Sequence, residues 1–365
     1  MENKMKRTCA LFFVLTLICG IVTGCNNSNN SSNDTPPSNS SGTNISSTPD
    51  NSANSTDTPS SEISDSTAVS EPSDEKPDDT SDNSEADTAV FDLENGTVLL
   101  NSGYTMPILG IGCFMLSNDE AENSVYWALR DGYRLIDTAR IYGNEQGVGR
   151  GIQRAIDEGF VTREEIFVTT KMWTSDYNDG ESAVDASLER LGLDYIDLMI
   201  LHHSQPSNDV AAYKAMEKAV EDGKLRSIGL SNYYTPEDFD RLVDATTITP
   251  ALLQNETHPY HQSTEMKAHL EQYGTVMESW FPLGGRGNTQ TLFNDTTISG
   301  IAAAHGKTSA QIILRWHLQA GNIAIPGSSN EAHIKENCEI FDFELSDEEM
   351  RQLTAIDKNE RFADY

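Results

Sequence analysis

The run Arg134-Leu-Ile-Asp-Thr-Ala139 decides the fold, because it is a short apolar strand that ends on a carboxylate and leads toward a helical segment. Two later runs have the same character, Ile166-Phe-Val-Thr-Thr-Lys171 and Tyr195-Ile-Asp-Leu-Met-Ile-Leu-His202, with helical segments between each pair. In a parallel α/β barrel the C-terminal strand ends converge on one mouth. Asp137, Lys171 and His202 would then meet there, with Tyr142 just beyond the first strand, and a carboxylate, an ammonium, an imidazole and a phenol together form a proton-handling site.

Working outward, further strand candidates are Pro107 to Ile111, Arg226 to Leu230, Ala251 to Gln254, Thr275 to Trp280 and Ile323 to Ile325. Eight strands alternating with helices predict the α/β class and a (β/α)8 TIM barrel. The helices carry their own punctuation. Ser117-Asn-Asp-Glu120 reads as a capping box before Ala121 to Arg130, and Thr235-Pro236-Glu237 places proline at a first helical position. Ahead of the first barrel strand, Thr97 to Met106 reads as a β-hairpin turning at Asn101 to Gly103, placed to close the bottom of the barrel.

The barrel domain spans 90–365. Before it, Lys4, Lys6 and Arg7 precede the apolar run Cys9 to Val22, too short for a comfortable bilayer span and fitting a secretory signal over residues 1–25. Val22-Thr-Gly-Cys25 resembles the lipobox of bacterial lipoproteins, which implies lipidation of Cys25 and an exported chain anchored to the cell membrane. Residues 26–89 are almost all Ser, Asn, Thr, Asp, Glu and Pro, a composition that predicts a disordered tether. Between Asn26 and Thr88 there are 13 acidic residues against the single Lys76, so about −20 of the net charge of −32 belongs to the rest of the chain. That acidity argues against a nucleic-acid partner. Cys113 and Cys338 lack a spacing pattern and read as free thiols, although export leaves a disulfide open.

A phenol with an ordinary pKa of about 10 is a poor acid at neutral pH unless its anion is stabilised. Lys171 can do that, Asp137 can keep Lys171 charged, and His202 can orient a carbonyl oxygen or share the proton. The set suits protonation of a nascent alkoxide, half of a carbonyl reduction. The hydride must come from a cofactor.

Six spaced motifs carry a resemblance to a known family. They are Leu135-Ile-Asp-Thr-Ala-Arg-Ile-Tyr-Gly-Asn-Glu145, Thr169-Thr-Lys-Met-Trp173, Asp197-Leu-Met-Ile-Leu-His202, Gly229-Leu-Ser-Asn232, Gln254-Asn-Glu-Thr-His-Pro-Tyr260 and Ile325-Pro326. In this order they resemble the aldo-keto reductase family across the whole barrel domain. The resemblance implies NAD(P)H-dependent reduction of an aldehyde or ketone to an alcohol, reversibly, by a monomer. It makes Asp137, Tyr142, Lys171 and His202 the catalytic residues, with Tyr142 as general acid. It also implies cofactor contacts from Gly110 and Gly112, from Ser231, Asn232 and Gln254 at the carboxamide, and from Trp280 stacked on the nicotinamide. Leu283 and Gly284 fall beside the pyrophosphate, and Ser328, Asn330, Glu336 and Asn337 at the adenosine end. Phe114, Trp173 and His203 match substrate-pocket positions. The chain has no convincing G-x-G-x-x-G after a strand; Gly147-Val-Gly-Arg-Gly151 reads as helical.

Departures from the pattern are informative. Gly327 and His333 stand where the family places the cations that grip the 2′-phosphate of NADP, so NADP(H) remains the family default while NAD(H) becomes plausible. Phe281 replaces a common serine, His203 a common tryptophan and Leu253 a frequent asparagine. A metal-dependent barrel hydrolase is disfavoured because neighbours such as His202 and His203 on one strand point to opposite faces. An exported cofactor-binding sensor that has kept the barrel without turnover is the remaining alternative.

Overall fold

The computed structural model describes residues 89–364. The segments expected to be a signal peptide and a tether, with Cys25, fall up to residue 88 outside the described residues.

Three short strands, β1 (Phe91–Asp92), β2 (Thr97–Leu99) and β3 (Thr105–Pro107), form an antiparallel sheet in the order β1-β2-β3. The hairpin predicted from sequence is β2 and β3, and its turn is closed by Gly103 N donating to Leu100 O at 2.9 Å. β1 adds a third strand, with Phe91 paired to Val98. Val98, Leu100 and Met106 are buried. Asn101 Nδ2 donates to the carbonyls of Pro250 and Tyr273 at 3.1 and 3.2 Å, which ties the turn to loops between later elements.

Eight parallel strands follow: β4 (Gly110–Gly112), β5 (Leu135–Asp137), β6 (Phe167–Met172), β7 (Ile196–Leu201), β8 (Leu225–Ser231), β9 (Leu252–Glu256), β10 (Val276–Trp280) and β11 (Asn322–Ala324). They are ordered β4 through β11, each strand lying beside its neighbour in sequence. Bridges Leu109 to Ala324 and Gly112 to Gly327 join the first strand region to the last, so the sheet closes on itself as a (β/α)8 barrel. Nearly every strand residue is buried, as expected when helices cover the outside of a parallel sheet.

The first barrel strand starts later than its apolar run. Pro107 belongs to β3, paired with Thr97, and Ile108 N donates to Gly96 O at 3.0 Å, so the chain is still held by the small sheet there. The predicted capping box is present: Ser117 N donates to Glu120 Oε2 at 2.9 Å and Glu120 N to Ser117 Oγ at 3.3 Å, opening the helix Asn118–Arg130. Thr235 caps Pro236–Val243 by accepting from Asp238 N at 3.2 Å. Gly147 to Gly151 lie inside the helix Glu145–Asp157, as read from sequence. Cys113 and Cys338 are free thiols.

Candidate active site

Strands β5, β6 and β7 deliver three side chains to one end of the barrel because each carries an ionisable residue within one position of its C-terminal end: Asp137 on the last residue of β5, Lys171 one before the end of β6 and His202 one past the end of β7. Lys171 Nζ donates to Asp137 Oδ1 at 2.6 Å, to Thr138 O at 2.8 Å and to Tyr142 Oη at 3.3 Å. Tyr142 reaches the cluster from the short turn Arg140–Tyr142 that follows β5. The His202 ring lies 5.7 Å from the Tyr142 ring, nearly edge-on. The four residues read from sequence therefore meet.

Burial dominates the electrostatics. It pushes the Tyr142 phenol up to about 12, and the positive charge of Lys171 opposes this without overcoming it. Lys171 thus pulls the phenol in the direction read from the sequence, and burial outweighs that pull, so Tyr142 keeps its proton at neutral pH. Burial also works against the Lys171 ammonium, but Asp137 and Tyr142 outweigh it and leave the lysine more basic than usual. His202 is held down to about 2 by burial, then by Lys171 and His203. Kept neutral by burial and by Lys171, the ring offers one N–H, which suits the first of the two roles read for it from the sequence, orienting a carbonyl oxygen. Its Nδ1 is buried without a partner, so Nε2 is the nitrogen turned to the pocket the residue lines.

A cavity of about 790 Å³ opens from the tetrad along the mouth, with Asp137, Tyr142 and His202 in its wall. At the reacting end it is lined by Phe114, Trp173 and His203, with the exposed apolar Met115 and Ile141 at the rim. Phe114 sits 5.0 Å from Tyr142 and 5.9 Å from Phe281, ring to ring. The two histidines contradict the strand-alternation argument. Their rings stack at 5.1 Å and 10°, because β7 ends at Leu201 and both residues belong to the bend beyond it. Among the described residues no group of three metal-ligating side chains is gathered.

Farther along, the cavity is walled by Gly112, Ser231, Asn232, Gln254, Trp280 and Leu283, then by Gly327, Ser328, Asn330, His333, Glu336 and Asn337. A cavity of this volume, whose wall joins the aromatic rings around Tyr142 to a polar stretch from Ser328 to Asn337, fits a dinucleotide. Gly112 and Gly327 form a cradle that side chains would fill: a Cβ on Gly112 would lie 2.7 Å from Ile325 O, and one on Gly327 2.9 Å from Gly112 O. Two expected contacts fall outside the wall. Gly110 faces Leu135, where a Cβ would meet Cγ at 2.5 Å, so its role is packing. Gly284 is buried with a left-handed φ of 83°, and its neighbours Leu283 and Gly285 line the cavity instead.

Asn232 differs from its expected part as well. Its Nδ2 donates to His202 O at 2.9 Å and Ser231 Oγ at 3.1 Å, and its Oδ1 accepts from Tyr234 at 2.8 Å and Trp280 Nε1 at 3.2 Å. An amide has two donor hydrogens and two acceptor lone pairs, and all four are spent. Asn232 therefore fixes Trp280 and the loop after β7 from its place in the cavity wall. The sequence reading missed Arg286, an exposed cation in the wall beyond β10, and Glu278, a buried carboxylate behind Gln254.

The chain is similar to known proteins in sequence and fold. The sequence model of the aldo/keto reductase family matches residues 108–358. An aldo-keto reductase of Mycobacterium sp. (strain MCS) is 45% identical over 273 residues, covering 73% of this chain and 92% of that protein. A methylglyoxal reductase of Yersinia pestis is 41% identical over 268 residues, covering 72% and 94%. The crystal structure of a Bombyx mori aldo-keto reductase in complex with NADP aligns with a TM-score of 0.69 at 36% identity, covering 73% of this chain and 94% of that one.

Proposed function

This chain belongs to the aldo/keto reductase family and is an NAD(P)H-dependent oxidoreductase, and from there we propose that it reduces an aldehyde or ketone with Tyr142 as the general acid. The observation that carries the assignment is Lys171 Nζ, set between Asp137 Oδ1 at 2.6 Å and Tyr142 Oη at 3.3 Å at the end of the cavity. The nicotinamide cofactor, when bound, supplies hydride to the carbonyl carbon. Tyr142 gives its proton to the carbonyl oxygen as negative charge gathers there, and Lys171 offsets the charge left on the phenolate. Asp137 and Thr138 O hold the ammonium in place, and His202 Nε2 directs an N–H at the same oxygen. Phe114, Trp173 and the stacked histidines keep water from the reacting atoms.

Ser231, Gln254, Trp280 and the Gly112–Gly327 cradle would hold the cofactor, with Ser328, Asn330, Glu336 and Asn337 at its adenosine end. His333 and Gly327 supply no permanent cation for a 2′-phosphate, and Arg286 is the one guanidinium in the described wall. We read this as acceptance of NADH alongside NADPH. Catalytic efficiencies with the two cofactors on a panel including methylglyoxal test the function directly; carbonyl-independent binding without turnover would favour the sensor. For the leader, the Val22 to Cys25 segment supports a lipid anchor at Cys25, and loss of membrane association in Cys25→Ser would support it in turn.

A further inference from the structure

Behind the tetrad lies a second acid that the reaction as described leaves without a task. Glu278 sits in the middle of β10, fully buried, level with Gln254 on β9 and Ile323 on β11. Gln254 Nε2 donates to Glu278 Oε2 at 2.6 Å and to Asp137 Oδ2 at 2.9 Å, while the other oxygen of Asp137 takes the Lys171 bond. One unbroken chain of bonds therefore runs from Tyr142 through Lys171, Asp137 and Gln254 to Glu278.

We propose that Glu278 is a positioning residue for the reduction: it holds Gln254 by its nitrogen so that the amide oxygen faces the cofactor site, and its own proton sets the charge of the network beneath Tyr142. The proposal rests on the reductase reading above. The first half follows from the amide. Both Nε2 hydrogens are committed to carboxylates, and Gln254 lines the cavity, so Oε1 is the atom left for a ligand N–H.

The second half follows from charge. Among the described residues the charged groups that act on Glu278 are Asp137 on β5 and Lys171 on β6; the flanking strands face it with Gln254 and the apolar Ile323. With Glu278 ionised, two buried anions share one buried cation; with it protonated, the cluster is neutral. Glu278 Oε1 is buried with no donor to stabilise a negative charge. Burial, then Asp137, push the carboxyl up to about 8, with Gln254 and Lys171 pulling the other way. Loss of this proton adds a negative charge beneath Tyr142, makes the phenolate harder to form and slows reduction as pH rises.

The test compares wild type with Glu278→Gln, which keeps an acceptor for Gln254 and removes the titration, and with Glu278→Leu, which removes both. In wild type, kcat/KM for reduction should fall through an ionisation near pH 8 that is missing in Glu278→Gln. Two readouts are independent of turnover. A buried protonated carboxyl band should be present in the infrared spectrum of wild type at about pH 6 and absent in Glu278→Gln. Cofactor affinity should weaken about tenfold in Glu278→Leu but not in Glu278→Gln, the value of one well-aligned hydrogen bond. A descending limb that persists in Glu278→Gln, an unchanged infrared band, or equal affinity in all three proteins overturns the proposal. If wild type turns over no carbonyl, the reductase reading fails by itself, and the band and the titration still judge Glu278.

Discussion

Lys171 Nζ lies 2.6 Å from Asp137 Oδ1, and neither side chain is more than 3% exposed. Removing one partner of such a pair strands the other charge in a dry interior, at a cost of about 3–5 kcal/mol. Lys171→Met should therefore lose stability on that scale along with activity. Adding Asp137→Asn should restore part of the stability and none of the activity. Denaturant unfolding of both variants checks this, and purely additive losses would contradict the coupling.

Tyr142→Phe removes one oxygen and keeps the ring contact with Phe114 at 5.0 Å. Turnover should drop by about two to four orders of magnitude, the usual contribution of a positioned acid. Cofactor titrations should be unchanged. A variant that keeps more than a tenth of wild-type kcat would place the proton donor elsewhere.

Two buried imidazoles link stability to pH. Burial holds His202 down to about 2 and His317 to about 3, so both stay neutral in the fold while the unfolded chain protonates them near 6.5. Their contribution is complete above about pH 6.5 and is lost as pH falls from there toward 3, at about 1.4 kcal/mol per pH unit for each group. Urea unfolding at about pH 7, 6 and 5 should show a shallower loss for His202→Gln than for wild type.

Much of this site is legible in the sequence because it stands at the ends of apolar runs. A strand buried on both faces has little room for charge until it ends, so Asp137, Lys171 and His202 mark their own positions. Boundary residues are less readable. Pro107 reads as barrel strand yet pairs with Thr97, since competition between two sheets for one segment leaves no local mark. The His202–His203 stack is hidden for the same reason: strand periodicity stops where the strand stops. Glu278 did leave a signal, a lone acid within Val276-Met-Glu-Ser-Trp280, but only three-dimensional closure shows that it points at Gln254.

At the seam, a Cβ on Gly112 would lie 2.7 Å from Ile325 O. Gly112→Ala should therefore cost about 1–3 kcal/mol through overpacking and weaken cofactor binding by narrowing the cradle. Thermal unfolding with and without cofactor measures both; an unchanged Tm would show that the backbone yields freely there.

His333→Arg offers a guanidinium at the far end of the cavity without touching the seam, whereas a lysine at 327 would press its Cβ toward Gly112 O. A charge-assisted bond to phosphate adds about 1.5–3 kcal/mol, so the preference for NADPH over NADH should rise roughly ten- to hundredfold. Ratios of kcat/KM for the two cofactors decide it.

The bridges from Leu109 to Ala324 and from Gly112 to Gly327 also set an order of events during synthesis. The chain made as far as residue 202 already holds Asp137, Tyr142, Lys171 and His202, but the strand that meets β4 comes roughly 120 residues later, some ten seconds at ordinary translation speed. Through that interval the nascent polypeptide carries these four side chains on a sheet that cannot yet close, and its free edges invite aggregation. A truncation that spares every reacting group but stops short of residue 322 should be a chaperone client and not a small enzyme.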